Sequence, residues 1–121
     1  MHNIQGTFCA ALTPINENYS INKVLFLKHC KNILTQGLDG LAIFGTTGEA
    51  NSFSVNEKIE AINYLIENNI DPQKILPGTG LCSIQDTVLL SKHVTKLNVK
   101  AMLILPAFYY KNVSDNGVID Y

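Results

Sequence analysis

Arginine is absent from the 121 residues, and lysine alone supplies the nine positive charges. Against ten acids this leaves a net charge of −1. There is neither a basic field for nucleic acid nor a bidentate fork for phosphate. No apolar run approaches the ~18 residues that cross a bilayer. Met1-His2-Asn3-Ile4-Gln5 has neither the basic start nor the apolar core of a signal peptide. Cys9, Cys30 and Cys82 are odd in number and show no C-x-x-C spacing, so reduced thiols of a cytoplasmic protein are expected rather than a disulfide frame. Cys82 falls in a loop after a strand, a place open to exposure, with nothing near it in sequence to lower its pKa. His2, His29 and His93 are scattered over the N-terminus and two predicted helices, a pattern of surface or packing roles and not of metal ligation. A G-x-x-x-x-G-K-S/T loop is also missing, which together with the lack of arginine counts against nucleotide binding. What remains, at 46% hydrophobic and 16% charged, is the composition of an ordinary soluble globular protein.

What is present is organised around Gly45-Thr46-Thr47-Gly48-Glu49. The stretch follows an apolar run, Leu41-Ala42-Ile43-Phe44, and a short polar loop leads from it to Ser54. Ser54 and Glu57 have the spacing of a capping box, in which the Ser takes one free N–H and the Glu returns to the Ser N–H. A strand, a glycine-flanked pair of threonines and a helix start therefore follow one another. Two hydroxyls and several backbone N–H groups converge there, with Glu49 the single side-chain charge. Such a cluster suits a small anion such as a carboxylate, although glycine-rich strand-to-helix turns as often serve only as turns.

The same pattern recurs along the chain. Gly6–Thr13 is predicted as a strand that Pro14 stops. Ser20 is the expected cap of a helix burying Val24, Leu27, Cys30, Ile33 and Leu34, closed by Gly37. Gly40–Phe44 is the second strand. The second helix carries Val55, Ile59, Ile62 and Ile66, widened by Leu65. Ile75–Gly78, shortened by Pro77, is the third strand. Gly78-Thr79-Gly80 then turns to Ser83, the cap of a helix facing inward through Ile84, Thr87, Val88, Ser91, Val94 and Leu97. The fourth strand is Ala101–Leu105, ended by Pro106, and Ser114 caps a fourth helix about two turns long. Near-continuous apolar strands alternating with helices predict an α/β fold with a parallel sheet. The loops after the strands hold the Gly, Thr and Tyr residues, so chemistry is expected at the carboxyl end of the sheet.

Two architectures fit. One is a small doubly wound domain whose glycine loops hold a phosphate or nucleotide, which predicts a compact, stable monomer. The other is the N-terminal portion of a TIM (β/α)8 barrel, about four βα units, with residues 1–121 as the first half of a single domain truncated within the fourth helix. It predicts instability or self-association through an unpaired sheet edge. Stopping inside a capped helix, after the most apolar strand, favours the barrel.

Taken together, the motifs resemble the dihydrodipicolinate synthase / N-acetylneuraminate lyase family of pyruvate-dependent aldolases. The resemblance rests on Gly45-Thr46-Thr47-Gly48-Glu49, on Phe53-Ser54-Val55-Asn56-Glu57 and on Gly78-Thr79-Gly80. Pro106-Ala107-Phe108-Tyr109-Tyr110 and the opening Phe8–Pro14 extend it over the whole chain in register. It implies a (β/α)8 barrel assembled as a homodimer or homotetramer, with pyruvate and an aldehyde as small-molecule partners. No metal and no other cofactor are expected, and from the charge and composition above no nucleic-acid or membrane partner.

A strand-six lysine would form a Schiff base with pyruvate, and hydroxyls would relay the protons. By resemblance Thr46 is a catalytic member of that relay, and Thr46 and Thr47 bind the pyruvate carboxylate. Tyr109 aligns with the catalytic tyrosine that reaches into the neighbouring subunit. Tyr110 is the alternative, and read without the resemblance Tyr109 is an aromatic packing at an interface. The Schiff-base lysine is not in this chain. Lys111, after the fourth strand, stands in the wrong place. Ala50, Asn51, Val55, Lys58, Cys82 and Asp86 occupy the positions where lysine-inhibited members carry other polar and His side chains, so lysine feedback is not expected. The resemblance leaves open a dihydrodipicolinate synthase, a 2-keto-3-deoxy sugar-acid aldolase or an N-acetylneuraminate lyase.

Overall fold

The computed structural model describes residues 4–121, so His2 lies outside the described residues. Strands β1 (Phe8–Ala10), β2 (Gly40–Ile43) and β3 (Ile75–Pro77) form a parallel sheet in the order β1-β2-β3. Leu41 lies opposite Cys9 on one side and Ile75 on the other. The parallel sense follows from the crossovers: α1 (Lys23–Thr35) joins β1 to β2, and α2 (Val55–Glu67) joins β2 to β3. Helices α3 (Ile84–Lys96) and α4 (Asp115–Asp120) continue the alternation. Leu41, Ile43 and Ile75 are fully buried, as expected of strands covered on both faces.

Three of the four expected serine caps are present. Ser54 and Glu57 form the capping box, with the Ser54 N–H donating to Glu57 Oε2 at 2.9 Å. Ser83 accepts from the Asp86 N–H at 3.2 Å, and Ser114 from the Gly117 N–H at 3.1 Å. Ser20 does not cap α1. Asn22 does, accepting from the Leu25 N–H at 2.9 Å. The reason is that Ile21 is buried and bridges to Ile15, which keeps the chain extended past Ser20. The Ser20 hydroxyl bonds Asn18 Oδ1 at 2.7 Å instead.

The helix faces match those expected in part: Cys30, Ile33, Ile62, Leu65, Thr87 and Val94 are buried, but the centre of each stripe is shifted. Helix α1 buries Phe26, Cys30 and Ile33, an i, i+4, i+7 set, and leaves Val24 exposed. Helix α3 buries Thr87, Leu90 and Val94 and leaves Ile84 and Val88 exposed. In α2 the buried stripe is Lys58, Ala61, Ile62 and Leu65, while Val55, Ile59 and Ile66 sit at its edge. An amphipathic count fixes the apolar arc but not its centre; the neighbouring elements choose the centre.

The fourth strand does not form as a strand. Residues 101–105 run parallel to β3 but meet it at one bridge, where the Leu103 N–H donates to the Pro77 carbonyl at 3.0 Å and the Leu103 carbonyl accepts from the Thr79 N–H at 2.9 Å. Pro77 has no N–H with which to extend the ladder. Leu103, Ile104 and Leu105 remain exposed. Two short 3-10 turns, Ala50–Ser52 and Pro72–Lys74, were not expected from the sequence. The second carries a legible signal, Asp71 capping the Gln73 N–H with Pro72 in the first helical position. Among the described residues no helix is long and apolar enough to cross a membrane.

Lys58 is 0% exposed, and its Nζ has no hydrogen-bond partner among the described residues. Burial lowers its pKa, so the unfolded chain binds the proton more tightly than the folded one. Stability should therefore rise with pH between the folded pKa and the unfolded value near ~10.4. Lys58→Met should abolish that slope and stabilise the fold by about 1–3 kcal/mol at pH 7. Urea denaturation from pH 7 to 10 in a Cys30→Ala background checks both, because the raised Cys30 thiol contributes an opposing slope above its unfolded value near 9. An unchanged slope in the variant would assign the pH dependence elsewhere.

Candidate active site

A cavity of about 540 Å³ opens at the carboxyl end of the sheet, over the loops that follow β2 and β3 and beside residues 103–108. Its construction starts at Phe44, the residue after β2. Phe44 has φ of 54°, the left-handed region that a bulky side chain rarely occupies. Its ring is buried, with centroids 5.7 Å from Phe26 and 6.3 Å from Phe53. Its carbonyl passes over Gly78, where a Cβ would lie 2.0 Å from the Phe44 oxygen. The Gly78 N–H donates to the Ile43 carbonyl at 2.8 Å, so a glycine follows β3 because the backbone leaving β2 crosses directly above it.

The left-handed step turns Gly45-Thr46-Thr47-Gly48 out over the sheet. The loop is closed by the Glu49 N–H donating to the Thr46 carbonyl at 3.1 Å and the Ala50 N–H to the Gly45 carbonyl at 3.2 Å. The Thr13 hydroxyl donates to the Gly48 carbonyl at 2.8 Å, tying the far side of the loop to the segment after β1. Thr46 and Thr47 are both exposed. Thr46 lines the cavity; Thr47 stands outside its lining. Glu49 is the only ionisable residue in that lining. An anion held here would therefore be met by backbone N–H groups and hydroxyls, and not by a cationic side chain.

The aromatic run divides. Phe108 lines the cavity, while Tyr109 and Tyr110 are exposed and pack edge to face, 5.5 Å apart at 89°. Within this chain Thr46 and Phe108 share the cavity, and Tyr109 is not among its lining residues. Lys111 is also exposed and outside the lining. Cys82 is exposed. Cys30 is buried, and burial, with Cys9 adding to it, pushes its thiol up to about 12. Among the described residues no group of three or more His, Cys, Asp or Glu could hold a metal ion. Sequence reading missed the left-handed Phe44, for which no signal exists. It also missed Gly78 as the support of the neighbouring loop, although a glycine directly after a strand marks close backbone approach.

A parallel βα sheet with glycine-rich loops over its carboxyl edge is the arrangement of an α/β protein that binds a small ligand there. The chain belongs to the Dihydrodipicolinate synthetase family, whose model matches residues 3–121. It is 32% identical over 108 residues to the 4-hydroxy-tetrahydrodipicolinate synthase of Bartonella bacilliformis, covering 89% of this chain and 37% of that protein. The crystal structure of dihydrodipicolinate synthase from Agrobacterium tumefaciens superposes with a TM-score of 0.91 at 30% identity, covering 95% of this chain and 40% of that one. A 2-keto-3-deoxygluconate aldolase variant from Sulfolobus solfataricus shares the fold, with a TM-score of 0.86 at 23% identity over 96% of this chain and 39% of that one. The fold is thus that of the N-terminal part of the family's TIM barrel, and the chain spans less than half the length of these relatives.

Gly78→Ala should destabilise the chain by about 3 kcal/mol, because the new methyl meets backbone that cannot swing aside. Gly45→Ala, with nothing within 4 Å of the added carbon, should change stability by less than about 1 kcal/mol. Urea denaturation of both variants checks the contrast. Equal effects would mean that Gly78 carries no special constraint.

Proposed function

We propose that residues 1–121 are the N-terminal half of a single (β/α)8 barrel domain, and that the complete protein is a lyase of the Schiff-base aldolase type. In this reading a lysine outside these residues attacks the ketone carbon of pyruvate and water leaves, giving an imine. Loss of a methyl proton then gives an enamine, whose carbon adds to an aldehyde. Thr46 and Thr47 hold the pyruvate carboxylate through hydroxyls and backbone N–H groups. The Thr46 hydroxyl, able both to donate and to accept, passes protons between the reacting centre and Tyr109 of a neighbouring subunit. The exposure of Tyr109 fits a residue that serves a second copy, and so a homodimer or homotetramer. The single observation that carries the reading is Thr46 exposed beyond the carboxyl end of β2, lining the cavity that opens there.

The preferred aldehyde is aspartate semialdehyde, which makes the protein a 4-hydroxy-tetrahydrodipicolinate synthase of lysine biosynthesis. The names of several relatives support this choice. The second reading is a 2-keto-3-deoxy sugar-acid aldolase or N-acetylneuraminate lyase, and it rests on the resemblance of Pro106-Ala107-Phe108-Tyr109-Tyr110-Lys111 to divergent members of the family. The unpaired cysteines fit a reducing, cytoplasmic setting.

Borohydride trapping with pyruvate, followed by mass spectrometry, tests the proposal on the complete gene product and on this chain side by side. A pyruvyl adduct is expected on the complete product only. No adduct on either would overturn the aldolase reading, and an adduct on the 121-residue chain, at Lys111 for instance, would overturn the placement of the lysine. In the complete protein Thr46→Val should lower kcat by about 10²-fold.

A further inference from the structure

Thr79, between the two glycines of the Gly78-Thr79-Gly80 turn, is 0% exposed in a core that is otherwise almost wholly apolar. Its hydroxyl accepts a hydrogen bond from the half-buried Ser91 of α3 at 3.0 Å. Its backbone N–H donates to the Leu103 carbonyl at 2.9 Å. One residue thus ties the end of β3 to a helix on one side and to the 101–105 segment on the other. The glycines flanking it are both in close backbone contact. A Cβ on Gly78 would strike the Phe44 carbonyl at 2.0 Å, and one on Gly80 would strike the Leu105 nitrogen at 2.3 Å. Displacing Thr79 toward or away from α3 therefore moves the surface on which Phe44 rests, and Phe44 is the residue whose backbone aims Gly45 and Thr46.

We propose that the Thr79–Ser91 hydroxyl pair positions the Thr46 loop, acting through Gly78 on the Phe44 carbonyl. Neither side chain lines the cavity, so both are positioning residues and not catalytic ones. Packing alone does not call for this pair, since apolar groups of the same shape would fill the space at nearly no cost in stability. A hydrogen bond differs from such packing in direction: it holds Thr79 at one height along α3, whereas two methyl groups would allow it to slide. Fixing that height matters because misplacement of a binding group by ~1 Å can cost up to ~10²-fold in rate. This role rests on the proposed binding of pyruvate at Thr46.

The test compares the complete wild-type protein with Thr79→Val, Ser91→Ala, the double variant and the conservative Thr79→Ser. The double variant should unfold within a few degrees of wild type yet show KM for pyruvate raised by about tenfold, with kcat lowered as well because the displaced Thr46 also relays protons. Thr79→Ser should restore KM to within about twofold. Amide hydrogen exchange at Gly45–Ala50, read without any ligand, should be accelerated in the double variant and normal in Thr79→Ser. Unaltered KM and unaltered exchange in the double variant would overturn the proposal. So would a variant that loses global stability and exchanges faster everywhere, which would make the pair merely structural. If wild type forms no pyruvyl adduct, the pyruvate reading falls by itself. Loop exchange then still decides whether the pair sets the loop's position.

Discussion

The close passage of the Phe44 carbonyl over Gly78 is the contact on which the rest of this structure depends. It lets the backbone leaving β2 turn into the left-handed region immediately, rather than continuing along the sheet. That turn costs of order 1–3 kcal/mol for a residue with a side chain. The Phe44 ring offsets it. Its burial is worth about 1.5–3 kcal/mol, and its contacts with Phe26 of α1 and with Phe53 just ahead of α2 each add ~0.5–1.5 kcal/mol. The same residue thereby bends the chain at the site and locks together the two helices beside it.

The loop built on this bend has its polar groups unusually well accounted for at the base and free at the tip. The carbonyls of Gly45, Thr46 and Gly48 are taken by Ala50, Glu49 and Thr13, while the side chains of Thr46 and Thr47 are exposed. A rigid base under an open hydroxyl tip is what pre-organised recognition of a small anion requires, because little side-chain order remains to be lost on binding. The lack of arginine in the whole chain has its counterpart here. The wall of the cavity contains no cation, so an anion bound there would have to be attracted by oriented N–H dipoles.

Much of this was legible in the sequence because it is local. A capping box needs only Ser54 and Glu57 at their spacing, and a parallel βα alternation needs only apolar runs, turn residues and helical periodicity. Misreadings arose where a distant residue intervened. Asn22 displaced Ser20 as a cap because Ile21 pairs with Ile15. The inner faces of α1 and α3 are centred on Phe26 and Leu90 because of what lies beneath them. Lys58 is buried where the pattern placed an aliphatic stripe.

The order of the first three strands and of the four helices, the position of the threonine loop after β2 and membership of an α/β class follow from the sequence by itself, since hydrogen-bond caps and hydrophobic period act over a few residues. Only the tertiary structure decided that Phe44 is left-handed, that Gly78 exists to let it pass, that Thr79 is pinned by Ser91 and that Phe108, not Tyr109, faces the cavity in this chain. Each of these is set by contact between residues far apart in the chain, and such contacts have no period or spacing to read.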